Sequence, residues 1–91
     1  MSARVRVPTI LRTYTAGESE VSADGSTLSD VLDSLDASYP GIKARIVDEQ
    51  GGLRRFVNVY VGNDDVRFLD GLNTPVADNA QVSVIPAVAG G

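Results

Sequence analysis

The residues of this sequence best suited to chemistry stand at its C-terminal end. Pro86 is followed by Ala87, Val88, Ala89, Gly90 and Gly91. Gly90 and Gly91 have no Cβ, so they pass through a slot that would stop any larger residue. A terminal glycine also leaves its carboxylate open on the side from which a nucleophile must attack. Five extended residues at ~3.3–3.6 Å each reach about 17 Å, enough to enter another protein's active site. The best candidate for chemistry is therefore the Gly91 carboxylate, at the end of an extended tail made of Ala87, Val88, Ala89 and Gly90. A frayed, glycine-rich end has the same composition, so the pattern gains meaning only from the elements behind it.

The rest of the inventory narrows the chemistry. The 91 residues contain no Cys and no His. Without Cys there is no disulfide, no thiol nucleophile and no thiolate metal site. Without His there is no imidazole base, and no common zinc or iron site. Asp30, Asp33 and Asp36 would spread over ~120° of a helix, too wide for one metal site, and read as a solvated face. Asn63-Asp64-Asp65 lacks the remaining ligands and the glycine of a calcium loop and reads as part of a turn with Gly62. A self-sufficient Ser-His-Asp or Cys-His enzyme is therefore excluded by inventory.

Eight Lys+Arg against twelve Asp+Glu give a net charge of −4, which argues against nucleic acid and anionic membranes as partners. The apolar runs fall far short of a ~20-residue membrane span. Met1-Ser2-Ala3-Arg4 leads straight into alternating residues rather than a signal peptide, so the expected compartment is cytoplasmic.

The elements that must position the end follow from periodicity. Val5 and Val7 alternate with Arg4 and Arg6, a half-buried strand ended by Pro8. Thr13 to Gly17 reads as a turn and Glu18 to Ala23 as a second strand, together an antiparallel hairpin. Ser26 or Thr27 caps a helix, and Thr27 with Asp30 resembles a capping box. Leu28, Val31, Leu32 and Leu35 then form one buried stripe, stopped by Tyr39-Pro40-Gly41. Ile42, Ile46 and Val47 suggest a short packed turn that Gly51-Gly52 breaks. Phe56 to Val61 is the strongest strand signal and is expected to be central. Val66-Arg67-Phe68 reads as a short strand. Ala80 to Ile85 is the last strand, closed by Pro86.

Strand, strand, helix, strand, short strand, strand is best satisfied by an α+β β-grasp: a mixed sheet of four to five strands over one main helix. The helix stripe would face Val5, Val7, Val57, Val59, Val82 and Val84. A ferredoxin-like fold would need a second long helix, and residues 41–53 hold too many glycines for one. Length allows one small domain: residues 1–86 form the body and 87–91 a flexible tail.

Val7-Pro8-Thr9-Ile10-Leu11-Arg12, Phe56-Val57-Asn58-Val59-Tyr60-Val61, Asp65-Val66-Arg67-Phe68 and above all Val84-Ile85-Pro86-Ala87-Val88-Ala89-Gly90-Gly91 resemble the ubiquitin-like sulfur carriers of the ThiS/MoaD family, most of all its CysO branch. The resemblance spans nearly the whole chain. It implies that a partner enzyme, using ATP and Mg²⁺, adenylates Gly91, that a sulfur donor then converts the adenylate to a thiocarboxylate, and that this chain, with no catalytic residue, metal or cofactor of its own, is a carrier and not an enzyme. It further implies delivery of that sulfur to an acceptor enzyme such as a cysteine synthase or a thiosugar synthase, with cysteine biosynthesis favoured. A hydrolase would then restore the Gly-Gly end. Molybdopterin, thiamin thiazole and thiosugar pathways remain alternatives, as does an isopeptide-forming modifier. Lys43 is the single lysine, which disfavours chains of such a modifier. In the family the sheet face beside the tail is the docking face, which points to Ile85, Pro86 and Phe68. Arg4, Arg6 and Arg67 are candidates for steering acidic partners or are simply solvated.

Overall fold

The period-two alternation of the first residues becomes a strand, β1 (Ser2–Arg6), with Ala3 and Val5 buried and Arg4 and Arg6 exposed. The computed structural model describes residues 2–86. Every expectation placed on Ala87, Val88, Ala89, Gly90 and Gly91 lies outside the described residues. β2 (Glu20–Asp24) pairs antiparallel with β1, as the hairpin reading requires. Leu11, in a short 3₁₀ turn at Thr9–Leu11, is buried between them in sequence. Thr15 is fully buried, and its hydroxyl donates to the Glu18 carbonyl at 2.8 Å, so the loop is pinned rather than open.

The helix α1 (Leu28–Ser38) starts where its cap residues place it. The Asp30 N–H donates to Thr27 Oγ1 at 3.2 Å. The reciprocal arm of a capping box is different from the expected one: the Ser26 hydroxyl donates to Asp30 Oδ2. Gly25 makes the turn into the helix so tight that a Cβ there would sit 2.6 Å from the Val31 nitrogen. Leu28, Val31, Leu32 and Leu35 are all buried and join Val5, Val7, Val57, Val59, Val82 and Val84 in one core. A single turn, α2 (Lys43–Ile46), follows and buries Ile42, Ile46 and Val47. Asp36 is not merely solvated: its Oδ1 accepts the N–H groups of Gly41 and Lys43, both at 3.1 Å, and fixes the corner between the helices. Asp33 pairs with Lys43.

β3 (Val57–Val61), β4 (Asp64–Asp65) and β5 (Gln81–Pro86) complete a five-stranded sheet in the order β2-β1-β5-β3-β4. β5 runs parallel to β1 and antiparallel to β3. The centre of the sheet is thus β5 and not β3. Apolar strength reports burial on the faces, and β3 is covered on one edge only by two residues of β4. The turn between them is Gly62-Asn63 alone, with Gly62 at φ 64°. Asp64 and Asp65, read from sequence as turn, form the short strand. Val66–Phe68, read as strand, is a 3₁₀ turn because the Asp65 carboxylate accepts the Arg67 N–H at 2.9 Å and caps it. Val76, fully buried, closes the core beside the start of α1, where the Val76 N–H donates to Ser26 and the Leu28 N–H to Thr74.

Candidate functional site

Residues 87–91 follow directly in sequence from the central strand, so the end of β5 anchors the candidate site. On one side β5 pairs with β3, from Val61↔Val82 to Val57↔Pro86. The Gly62 N–H donates to the Gln81 carbonyl at 2.8 Å. In an antiparallel ladder, residues bonded to one neighbour alternate with residues facing the other. Gln81, Ser83 and Ile85 therefore bond β3, while Val82, Val84 and Pro86 turn their backbone groups toward β1. The Arg4 N–H, donating to Ala80 at 2.9 Å, belongs to that second row.

Both neighbours give out near Pro86. The β1 ladder pairs Arg4↔Gln81, Val5↔Val82 and Arg6↔Ser83 and goes no further. Beyond Val7 the chain turns into the 3₁₀ segment, where the Pro8 carbonyl accepts the Leu11 N–H at 2.9 Å. On the other side, β3 begins at Val57, whose N–H is bonded to Arg54 at 3.1 Å within a turn. Arg67 holds that turn in place: its guanidinium donates to Asn58 Oδ1 at 2.6 Å and to the Arg54 carbonyl at 2.7 Å. Arg67 is thus engaged in the fold, whereas Arg4 and Arg6 lie exposed on β1.

Where β1 and β5 part, a groove of about 480 Å³ opens, lined among others by Arg6, Pro8, Ile10, Arg12, Ile85 and Pro86. Ile85 is 47% exposed, on the face opposite Val82 and Val84 as its alternation predicts, and Ile10 is 68% exposed. The structure brings the predicted docking residues Ile85 and Pro86 together here. Phe68, 88% exposed, stands on the turn after β4 and is not among the residues lining the groove. Ile10 and Pro8 were not singled out as docking residues. The signal available was an isoleucine two residues past a strand-ending proline, which reads equally well as a core residue. On its other flank Ile10 borders a second depression, lined also by Tyr14, Arg45 and Arg54. Arg12 has a structural duty as well, donating from Nε to the Val7 carbonyl at 3.1 Å.

Among the described residues, no three His, Cys, Asp or Glu side chains gather into a metal-binding group, and no helix is long and apolar enough to cross a membrane.

The sequence model of the ThiS family matches residues 5–91. A Mycobacterium tuberculosis protein named sulfur carrier protein CysO is 50% identical over 93 aligned positions, covering 100% of both chains. Small archaeal modifier protein 3 of Haloferax volcanii is 44% identical over 68 positions, covering 75% of this chain and 73% of its own. Among solved structures, the BexX/CysO complex of Amycolatopsis orientalis contains a chain with a TM-score of 0.92 at 48% identity, covering 98% of this chain and 99% of that one. The topology derived above, a mixed five-stranded sheet with one main helix, is the β-grasp that these relatives share.

Proposed function

The chain belongs to the ThiS family, and from that membership we propose that it is a sulfur carrier whose Gly91 carboxyl group a partner enzyme converts to a thiocarboxylate. The observation that carries this reading is the 50% identity, over the whole of both chains, to a protein named a sulfur carrier. The placement of Pro86 supports it: the central strand, held from both sides, leads directly into Ala87-Val88-Ala89-Gly90-Gly91.

A carboxylate is a poor electrophile, because its charge is delocalised and an oxide is a poor leaving group. On the proposed route the Gly91 carboxylate attacks the α-phosphate of ATP, held with Mg²⁺ in the partner, and pyrophosphate leaves. A sulfide-level donor then adds to the acyl carbon and AMP departs with the electron pair of the broken C–O bond. The resulting thiocarboxylate holds its negative charge on sulfur and is a good nucleophile near neutral pH. This chain supplies no acid, base or metal to either step; it is a protein co-substrate. The favoured destination is cysteine biosynthesis, in keeping with the CysO relative. There sulfur would attack an activated serine on an acceptor enzyme, and a hydrolase would release cysteine from the adduct.

Docking belongs to the Ile85, Pro86 and Ile10 surface, with Phe68 as a second contact. That one solved neighbour is a complex of a CysO with another protein supports a carrier that works by docking. The modifier-named relative supports one other reading, in which a lysine amine replaces sulfide as the nucleophile.

Intact-mass spectrometry separates the two. Incubated with an adenylating enzyme, ATP, Mg²⁺ and sulfide, the chain should gain the sulfur-for-oxygen mass increment on the C-terminal peptide alone. Deleting Gly91 should abolish the gain without moving the melting temperature. Isopeptide adducts without any thiolated form would overturn the carrier reading in favour of the modifier.

A further inference from the structure

The β1–β5 ladder stops at a place where both strands carry a proline. Extending the recorded register by two residues sets Val7 opposite Val84 and Pro8 opposite Ile85. In the row that faces β1, the next two hydrogen bonds would run from the N–H of residue 8 to the Val84 carbonyl and from the N–H of residue 86 to the residue 8 carbonyl. Neither donor exists, because residues 8 and 86 are both proline. The backbone at Pro8 is otherwise suited to a strand, with φ −68° and ψ 156°. The second bond is opposed twice, since the Pro8 carbonyl already accepts the Leu11 N–H.

We propose that Pro8 and Pro86 are positioning residues: they end the parallel ladder at Arg6↔Ser83, so that β1 offers no continuing ladder to the chain beyond Pro86. On the β3 side the ladder ends because β3 itself starts at Val57, level with Pro86. A carrier end stitched into its own sheet would have to be peeled away before each encounter. The apparent affinity of the activating enzyme would then fall by the fraction of molecules in which the end is free. A lone proline on an edge is a common guard against pairing. Here two prolines remove two successive donors from the one gap that leads to the reactive end.

The inference rests on the carrier reading only for its kinetic consequence, so it is tested first on the backbone. In the full-length Pro8→Ala/Pro86→Ala variant, amide hydrogen exchange is followed by NMR at positions 8 and 86. Bonds formed there should slow exchange roughly tenfold or more relative to the intrinsic rate of an unprotected amide, with no fall in melting temperature. With an adenylating enzyme and sulfide, the carrier's KM should rise several-fold while kcat stays unchanged; Pro8→Ala alone should give a smaller rise. A variant that merely misfolds would instead lose melting temperature, and Pro8→Ala then serves as the milder test of the same bond to Val84. Unslowed exchange at both positions overturns the proposal, because the prolines would not be what ends the ladder. Slowed exchange with an unchanged KM overturns their positioning role. A wild-type chain that takes up no sulfur defeats the carrier reading instead, and the exchange result still decides whether the prolines stop the sheet.

Discussion

Arg67 shows how a charged surface residue can be a structural one. Its guanidinium spans Asn58 Oδ1 and the Arg54 carbonyl, a two-point contact that needs a planar fork of donors. Its own N–H is held by Asp65. Arg67→Ala should therefore destabilise the fold by about 1 kcal/mol, the range for exposed, charge-assisted hydrogen bonds. In a domain of this size that lowers the melting temperature by ~4–8 °C. Arg67→Lys should recover little of it, because an ammonium on a flexible stem does not reproduce the fork. Differential scanning calorimetry of both variants checks this; a fully rescued Lys variant would mean that charge alone matters. At Gly25 the constraint is steric: a Cβ at 2.6 Å from the Val31 nitrogen and 2.7 Å from the Asp30 Cβ meets backbone that cannot yield. Gly25→Ala should cost about 1–3 kcal/mol, as overpacking does elsewhere, readable as an earlier urea midpoint with unchanged slope.

At the scale of elements, the sequence was legible wherever one period ran long enough to be unambiguous. The stripe Leu28, Val31, Leu32 and Leu35 left one reading, and Thr27 marked its start. Val82 and Val84, alternating with Ser83 and Ile85, fixed which face of β5 was buried and hence that Ile85 is exposed. Two features were not legible. Strand order is a non-local property, so the most apolar run, β3, was mistaken for the centre that β5 occupies. Val66-Arg67-Phe68 is too short for a period to decide, and a single Asp65 carboxylate was enough to close it into a turn. The candidate site divides in the same way. Its chemical end was visible as composition, while the groove was not, because Ile10 comes beside Ile85 only through the parallel β1–β5 pairing. That juxtaposition makes a specific expectation. Ile10→Asp and Ile85→Asp each replace an exposed side chain, so stability should change by only about 0.5 kcal/mol. Each should nonetheless weaken binding to the adenylating enzyme roughly tenfold or more, the loss expected of an apolar anchor. Titration calorimetry with the unloaded carrier measures it without any turnover. Phe68→Ala, on the far side of β3, tests the second contact; binding equal to wild type would remove Phe68 from the docking surface.

The molecule as a whole carries −4, and one pair of depressions is cationic against that background. Acidic side chains occupy the faces of β2 and α1, at Glu20, Asp24, Asp30 and Asp33. The two depressions that flank Ile10 are lined by Arg6, Arg12, Arg45 and Arg54 and, among the described residues, by no acidic side chain. The positive charge is local: Glu20 stands opposite Arg6 across the β1–β2 ladder, and Asp48 and Glu49 share a neighbouring depression with Arg54. A local cluster of arginines of this kind favours encounter with an acidic partner surface. The association rate constant with the adenylating enzyme should then fall several-fold as ionic strength rises from ~0.05 to ~0.5 M, where the screening length drops below about 5 Å. Dissociation, governed by the apolar contacts of Ile10 and Ile85, should change little. Arg6→Gln, on the exposed face of β1 opposite Glu20, should lower the association rate at low salt and flatten its salt dependence while changing the melting temperature little. Stopped-flow mixing across a salt series reads all three. A rate indifferent to salt in the wild type would mean that the arginines do not steer, and that docking rests on the apolar groove alone.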